Sequence, residues 1–451
     1  MAKTAVQYQC RECASLMPKW SGQCPECKSW NSIEEIPAVA PGKAANWHGA
    51  GGSAELLDLD QIPGGESPRF SSAIDELDRV LGGGLVPGSV VLLGGDPGIG
   101  KSTILLQCLN AIGRQRGTLY VTGEESPQQV SLRAQRLQLD GARLKLLSST
   151  CVEEIIAQAR KAKPAAMVID SIQTIFTNNL QAAPGSVSQL RESTAMLVRF
   201  AKQSQTAVFL AGHVTKEGQL AGPRVLEHMV DTVLYFEGDT ATRFRVIRAV
   251  KNRFGAVNEI GIFAMTEHGL KPVSNPSAIF LAQHEAPVPG SVVMVSREGT
   301  RPFLVEIQAL VSESHGANPR RLSVGLESNR LAMLIAILQR HGGIALYDQD
   351  VFVNAVGGVR IAETGADLAI ILAILSSFRD RALDPRTLVF GEVGLSGEIR
   401  PVANGEERLR EAGKHGFQTA IIPRANLPKR NAGKDLRLIP VTHLADTLDA
   451  L

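Results

Sequence analysis

No stretch of this chain is apolar for long enough to cross a bilayer. The greasiest run, Leu368 to Leu375, falls far short of the roughly 20 residues a spanning helix needs. The start, Met1-Ala2-Lys3-Thr4-Ala5-Val6-Gln7, lacks the apolar core of a secretory signal. These absences predict a cytoplasmic protein with no membrane partner. An excess of one charge is lacking too. The 47 Lys and Arg stand against 45 Asp and Glu, a net charge of +2. No whole-chain basic field marks a nucleic-acid binder, so any such surface must be local. Cysteine is scarce, six in 451 residues, which excludes a disulfide miniprotein. No internal repeat is found. The remaining composition, 44% apolar and 20% charged, is that of an ordinary globular protein. The length suggests about two to four domains.

Four of the six cysteines crowd into residues 10–27. Cys108 and Cys151 stand alone in apolar or helical surroundings and read as small buried hydrophobes. Residues 37–66 are rich in Ala, Gly and Pro and read as a linker after a module spanning 1–36. From 67 to 275, apolar runs at Ser89–Leu93, Leu119–Thr122, Leu144–Leu147, Ala166–Ile169 and Ala207–Ala211 alternate with helical patterns. Such alternation predicts a mainly parallel sheet covered on both faces. Ser126 followed by Pro127 is an N-cap and first-turn pair. Later strands are expected at Leu234–Tyr235, Arg243–Val250 and Ile260–Met265, without helices between them. After Pro272 the pattern restarts, and residues 276–451 read as a separate α+β domain.

Cys10-Arg-Glu-Cys13 and Cys24-Pro-Glu-Cys27 form two C-x-x-C knuckles, each setting two thiolates on one turn. Together they supply a tetrahedron for Zn²⁺ with no position left for activated water. The competing reading, a pair of disulfides, is disfavoured by a reducing compartment. So small a module has little core of its own, and its folding should be coupled to the metal. Lys19, Lys28, Trp20 and Trp30 suit contact with a nucleic acid. Packing around the metal accounts for the tryptophans equally well.

Gly95-Asp96-Pro97-Gly98-Ile99-Gly100-Lys101-Ser102 matches G-x-x-x-x-G-K-[ST] between a strand and a helix. Its glycines let backbone N–H groups turn toward phosphates, and the helix N-terminus adds its positive end. Lys101 would reach the β- and γ-phosphates of ATP, Ser102 would ligate Mg²⁺, and Thr103 could bond a further phosphate. Met167-Val168-Ile169-Asp170 is an apolar strand ending in an acid, so Asp170 is the second Mg²⁺ candidate. A helix N-cap is the alternative for that Asp. Hydrolysis also needs a group that takes a proton from water. Glu124 and Glu125 lie at the end of the strand that follows the P-loop helix, where strand C-termini meet a ligand crevice. Glu125 also suits a first-turn acid beside a helix dipole. His213 ends a later strand, at a place fit for a γ-phosphate sensor or for an ordinary polar histidine. Lys251 and Arg253, two residues apart, would meet phosphate from ATP or DNA, or form a solvated basic edge.

The order of motifs resembles the RadA (Sms) family of bacterial DNA repair proteins over essentially the whole chain. The marks are the cysteine quartet, Gly95 to Thr103, Gly123-Glu124-Glu125-Ser126 and Lys251-Asn252-Arg253-Phe254-Gly255. The resemblance implies a RecA-like P-loop ATPase core of α/β class between a four-Cys zinc module and a C-terminal α+β domain similar to the Lon protease domain. It implies a hexameric, ATP-driven motor on single-stranded and branched DNA, acting in homologous recombination beside the RecA recombinase. Glu124 takes the position of the catalytic glutamate, and His213 that of the residue coupling the γ-phosphate to a DNA-facing loop. Lys251 and Arg253 take the positions of a pair reaching the neighbouring subunit's nucleotide. In the last domain, Ala366 stands where Lon-type proteolysis needs serine and Glu406 where it needs lysine. This departure removes the peptidase reading and leaves oligomer assembly and DNA binding. The basic stretch Pro428-Lys429-Arg430-Asn431 with Lys434 and Arg437 is compatible with phosphate contact or with a solvated face. Two other readings compete with the motor: an ATP-switched scaffold of RecA-like fold and an ATP-dependent protease.

Overall fold

The computed structural model describes residues 6–10, 16–17, 19–26, 28–37, 68–141, 143–213, 225–238, 243–275, 277, 281, 286–316, 318–358, 360–428 and 436–448. Cys13, Cys27, nearly all of the linker and the basic residues Lys429, Arg430 and Lys434 lie outside them. The chain divides into two compact units, Met1–Pro272 and Val273–Leu451.

At the start, β1 (Val6–Cys10), β2 (Leu16–Met17) and β3 (Ile33–Pro37) form an antiparallel sheet in the order β2-β1-β3. Cys10, Met17, Cys24 and Ile33 make its small core.

The larger fold runs α1 (Asp75–Leu81), β4 (Val90–Gly95), α2 (Lys101–Gly113), β5 (Thr118–Thr122), α3 (Pro127–Arg136), β6 (Leu144–Ser148), α4 (Val152–Ala162), β7 (Ala166–Asp170), α5 (Val187–Ser204), β8 (Ala207–His213) and α6 (Val225–Met229). A meander follows: β9 (Thr232–Glu237), β10 (Phe244–Asn252), β11 (Ile260–Thr266) and β12 (Gly269–Pro272). One sheet takes them all in the order β12-β11-β10-β9-β4-β8-β7-β5-β6. From β6 to β9 neighbouring strands are parallel, and from β9 outward they are antiparallel. Successive residues of β4 alternate between two cores. Val91 and Leu93 join α2 in one, while Val90 and Leu92 join α4 and α5 in the other. Burying each such side chain contributes about 1.5–3 kcal/mol. The central strands are therefore sealed on both faces, which leaves their ends for chemistry. Helix α3 opens with a full capping box, Ser126 against Gln129, with Pro127 in its first turn. Helix α1 ends at Gly82 in the left-handed region, φ +81°. A Cβ added there would lie 2.9 Å from Gly255 Cα, so the loop after β10 lies directly against the end of α1.

The second unit contains β13 (Ser291–Glu298), β14 (Arg301–Glu313), β15 (Arg321–Val324), α7 (Ser328–Gly342), β16 (Gln349–Ala355), α8 (Asp367–Phe378), β17 (Thr387–Val389), β18 (Glu392–Val393), β19 (Ile399–Arg400), α9 (Gly405–Lys414), β20 (Thr419–Pro423), β21 (Arg437–Val441) and α10 (Ala445–Leu448). Its mixed sheet has the order β15-β16-β14-β13-β17-β20-β21, with β18 and β19 as a separate hairpin. Helix α8 is buried almost all round, as its unbroken apolar run requires. No helix among the described residues is long and apolar enough to cross a membrane.

Elements α1, α6, α10, β1, β2, β3, β12, β15, β16, β18, β19 and β21 are additions to the sequence reading. Strand β10 also runs on through Lys251 and Asn252, because both pair with β9 beyond a bulge after Ala249.

Candidate nucleotide site

The phosphate loop lies between β4 and α2. Gly98 and Gly100 have φ of +78° and +119°, conformations that turn successive N–H groups outward and that side-chain-bearing residues rarely adopt. Gly100 also leaves no room, since a Cβ would meet Leu270 and Met265 at 3.1 Å. The buried Arg245 of β10 braces the loop by donating Nε–H to the Ile99 carbonyl (3.3 Å). Lys101 begins α2, is buried, and donates Nζ–H to the carbonyls of Gly95 (2.7 Å) and Asp96 (2.9 Å). Burial pulls its ammonium below the ordinary value, while Asp170, Asp96 and Glu124 act in the opposite sense. Ser102 and Thr103 follow in the first turn of α2.

The three acids at the strand ends have different tethers. Asp170 ends β7 opposite Thr122 of β5, and Tyr120 donates its phenol to Asp170 Oδ2 at 2.5 Å. Burial first, and then Asp170, hold that phenol well above its ordinary pKa. Glu124 accepts a short hydrogen bond from the Ser171 hydroxyl. Glu125 is gripped by both arms of Arg133, at 2.6 and 2.5 Å. Lys101, Asp170 and Glu124 are thus brought together, while Glu125 is turned onto α3. His213 lies opposite Gly95 in the β4–β8 register, at the loop's own strand end.

Lys251 and Arg253 lie elsewhere. Lys251 Nζ donates to the carbonyls of Glu227 (2.6 Å) and Val230 (2.8 Å) at the end of α6. Burial, then Arg253, lower its pKa, and Asp231 and Glu227 oppose that shift. Arg253 bonds Asp231 at 3.2 Å, and Asp231 Oδ2 accepts Val90 N–H at 3.0 Å. Val90 and Gly95 are the two ends of β4, about 17 Å apart at the usual strand rise. Arg253 is therefore at the opposite end of the sheet from its own phosphate loop.

Sequence reasoning gave no role to Tyr120, Ser171, Arg133 or Arg245. Only Arg133 left a trace, as a cation two helical turns beyond Glu125. The others act through strand register and crossover, which spacing does not reveal.

In the first module, Cys10 and Cys24 are both buried in one core. A turn with Lys28 N–H on the Cys24 carbonyl (2.9 Å) follows the second knuckle's first thiol. Two enclosed sulfur donors of this kind suit a soft closed metal site. Trp20 and Trp30 are 61% and 72% exposed, so packing in the metal core does not account for them. Cys108 is buried in the core as a small hydrophobe, whereas buried Cys151 donates its thiol to Glu153 and accepts from Asn178. In the second unit, Ala366 is buried and Glu406 exposed on α9. Arg408 is fully buried, bonded to Glu363 and to the Val295 carbonyl. Arg330 pairs with buried Asp367.

A glycine-lined loop ahead of a helix, its lysine and a strand-end aspartate beside it define a P-loop ATP-hydrolysing enzyme. The AAA domain family matches residues 65–219. The rubredoxin metal binding domain matches residues 8–35, and subunit ChlI of Mg-chelatase matches 329–426. Proteins named DNA repair protein RadA align along their whole length. The one from Pseudomonas aeruginosa is 62% identical, covering 100% of both chains. Those from Escherichia coli and Bacillus subtilis are 55% and 48% identical, covering 99% of each chain. This chain belongs to the RadA family of DNA repair proteins.

Proposed function

We propose that this ATPase is a motor on single-stranded DNA that promotes branch migration of recombination intermediates. It works in the cytoplasm as a homo-oligomeric, hexameric ring beside the RecA recombinase. Its parts are a zinc module (1–36), a linker (37–66), the ATPase core (67–275) and a dyad-free Lon-like domain (276–451) for assembly. The observation that carries the ring reading is the separation of Arg253 from its own phosphate loop along β4. A cation at the far end of the sheet serves a nucleotide only if another copy brings one to it, and head-to-tail packing does so.

Within one site, the loop N–H groups and Lys101 hold the phosphates of ATP. Ser102 and Asp170 would hold Mg²⁺, which when bound draws charge from the phosphates; a hydroxyl and a carboxylate are the hard oxygen donors that ion takes. Glu124 accepts the proton of the attacking water. Its position beside Lys101 favours it over Glu125, whose carboxylate Arg133 neutralises. His213, opposite Gly95, reports the γ-phosphate to the segment that follows. Lys251 and Arg253 of one copy meet the neighbour's phosphates as charge develops. Cys10, Cys13, Cys24 and Cys27 would hold one Zn²⁺.

The test compares ATP turnover with and without single-stranded DNA, then forked-strand displacement. A large stimulation with displacement is expected. No stimulation would favour the switched scaffold. Mixing Lys101→Ala with Arg253→Ala subunits addresses the ring. Each supplies what the other lacks, so mixed rings should recover ATPase, and no recovery after demonstrated mixing would remove the cross-subunit role. Casein digestion, expected to be absent, tests the protease reading.

A further inference from the structure

The zinc module keeps its two largest apolar side chains out of its own core. That core is made by Cys10, Met17, Cys24 and Ile33, with Tyr8 against it. Trp20 and Trp30 remain 61% and 72% exposed. So small a module has little apolar surface to spare, and leaving two indoles in water forgoes stability it could have used.

The two indoles are not scattered. An antiparallel bridge joins Gln23 to Trp30, and Asn31 N–H bonds the Gly22 carbonyl at 2.9 Å. These bonds draw the two tryptophan segments together over Gly22. A Cβ at Gly22 would lie 3.8 Å from Trp30 Cζ3 and 3.9 Å from Trp20 Cη2. The rings therefore converge on the one residue without a side chain. The Gln23 side chain ties the turn shut by donating to the Lys28 carbonyl (2.9 Å). Beside this aromatic pair, Lys19 and Lys28 are exposed. Flat π-faces flanked by cations match unpaired bases on a phosphate backbone. A duplex hides its base faces and does not match.

We propose that Trp20 and Trp30, with Lys19 and Lys28, form a stacking platform on the zinc module for the bases of single-stranded DNA. The inference rests on the DNA-motor reading and adds to it a contact site outside the ATPase core. Stacking is tolerant of sequence, so the platform grips any strand fed to it. Four thiolates around one metal would hold its base rigid, which keeps the entropic cost of ordering the rings low.

The test uses the full chain and a fluorescent oligo-dT probe, read by anisotropy at fixed salt with a slowly hydrolysed ATP analogue. Trp20→Ala and Trp30→Ala should each weaken binding about 5- to 100-fold, the range for loss of one base–aromatic stack. Trp20→Phe and Trp30→Phe should keep most of the affinity. Zinc content and DNA-free ATP turnover should be unchanged in all four. With Trp47→Phe in the background, adding oligo-dT to the otherwise intact chain should quench the remaining indole fluorescence. Alanine variants that retain zinc and bind oligo-dT as tightly as the parent would overturn the platform while leaving the motor reading intact. A parent chain that does not bind oligo-dT at all would overturn both. Equal loss of binding to duplex DNA would also overturn it, since stacking requires unpaired bases.

Discussion

The nucleotide site of the first unit and the region around Ala366 in the second both hold dense charge, but they handle it in opposite ways. Around Lys101, two acids accept hydrogen bonds from neutral hydroxyls, Asp170 from Tyr120 and Glu124 from Ser171, with the Lys101 ammonium acting on both. A carboxylate held by a hydroxyl keeps its full charge for a metal or a proton. Around Ala366, charge is spent on charge. Glu363 meets Arg408, and Asp367 meets Arg330. In each pair one member, Arg408 or Asp367, is buried. Charge held by neutral partners is poised for chemistry, and charge cancelled by its opposite maintains a fold. Glu125 follows the second pattern inside the first site, since Arg133 grips its carboxylate against α3.

The largest effect expected from this contrast is at Lys101. Lys101→Ala should abolish ATP turnover in steady-state assays without lowering Tm by more than a few degrees, and residual turnover near the parent's would break the comparison. Next comes the acid pair. Glu124→Gln should lower kcat about 10²- to 10⁴-fold with nucleotide binding retained. Glu125→Gln should leave kcat within severalfold and lower Tm instead. The reverse pattern would move the base by one residue. In the second unit, Arg408→Ala takes from the partly exposed Glu363 its buried partner, a loss of about 1.5–3 kcal/mol. Denaturant unfolding should show it, with nucleotide binding by the first unit unaffected. A smaller effect is expected at Tyr120. Tyr120→Phe removes one support of Asp170 and should raise the Mg²⁺ needed for half-maximal binding of fluorescent ADP about tenfold, leaving metal-free ADP affinity unchanged. Smallest of all is Arg400→Ala, which opens an exposed pair with Glu398 and should leave Tm where it was.

The contrast also explains what the sequence disclosed. The phosphate loop was legible because its chemistry is local: glycine conformation, a helix start and a lysine all lie within one heptad or so of chain. The central parallel strands were legible because both faces are buried, and Val90 to Leu93 reads as an unbroken apolar run. Strand β16 was not, because Phe352 puts an apolar residue on the outward side that Asp350 and Asn354 mark, and β15 is a short edge strand. Helix α1, short and acidic at its start, carries too little periodicity to stand out. The choice between Glu124 and Glu125 was closed to spacing. It depends on Ser171, which β7 delivers from 47 residues away, and on Arg133 from the next helix.

Strand β10 has a mechanical consequence. At its start, Arg245 holds the Ile99 carbonyl of the phosphate loop, and at its end come Lys251 and Arg253. Ladders to β9 on one side and β11 on the other clamp it through most of its length. The same strand therefore links the Ile99 end to the Arg253 end, with the bulge after Ala249 as its one irregular step. In a head-to-tail ring, that strand joins the cradle of one nucleotide to the finger offered to the next. In the ring proposed above, one strand would then couple each nucleotide site to the next.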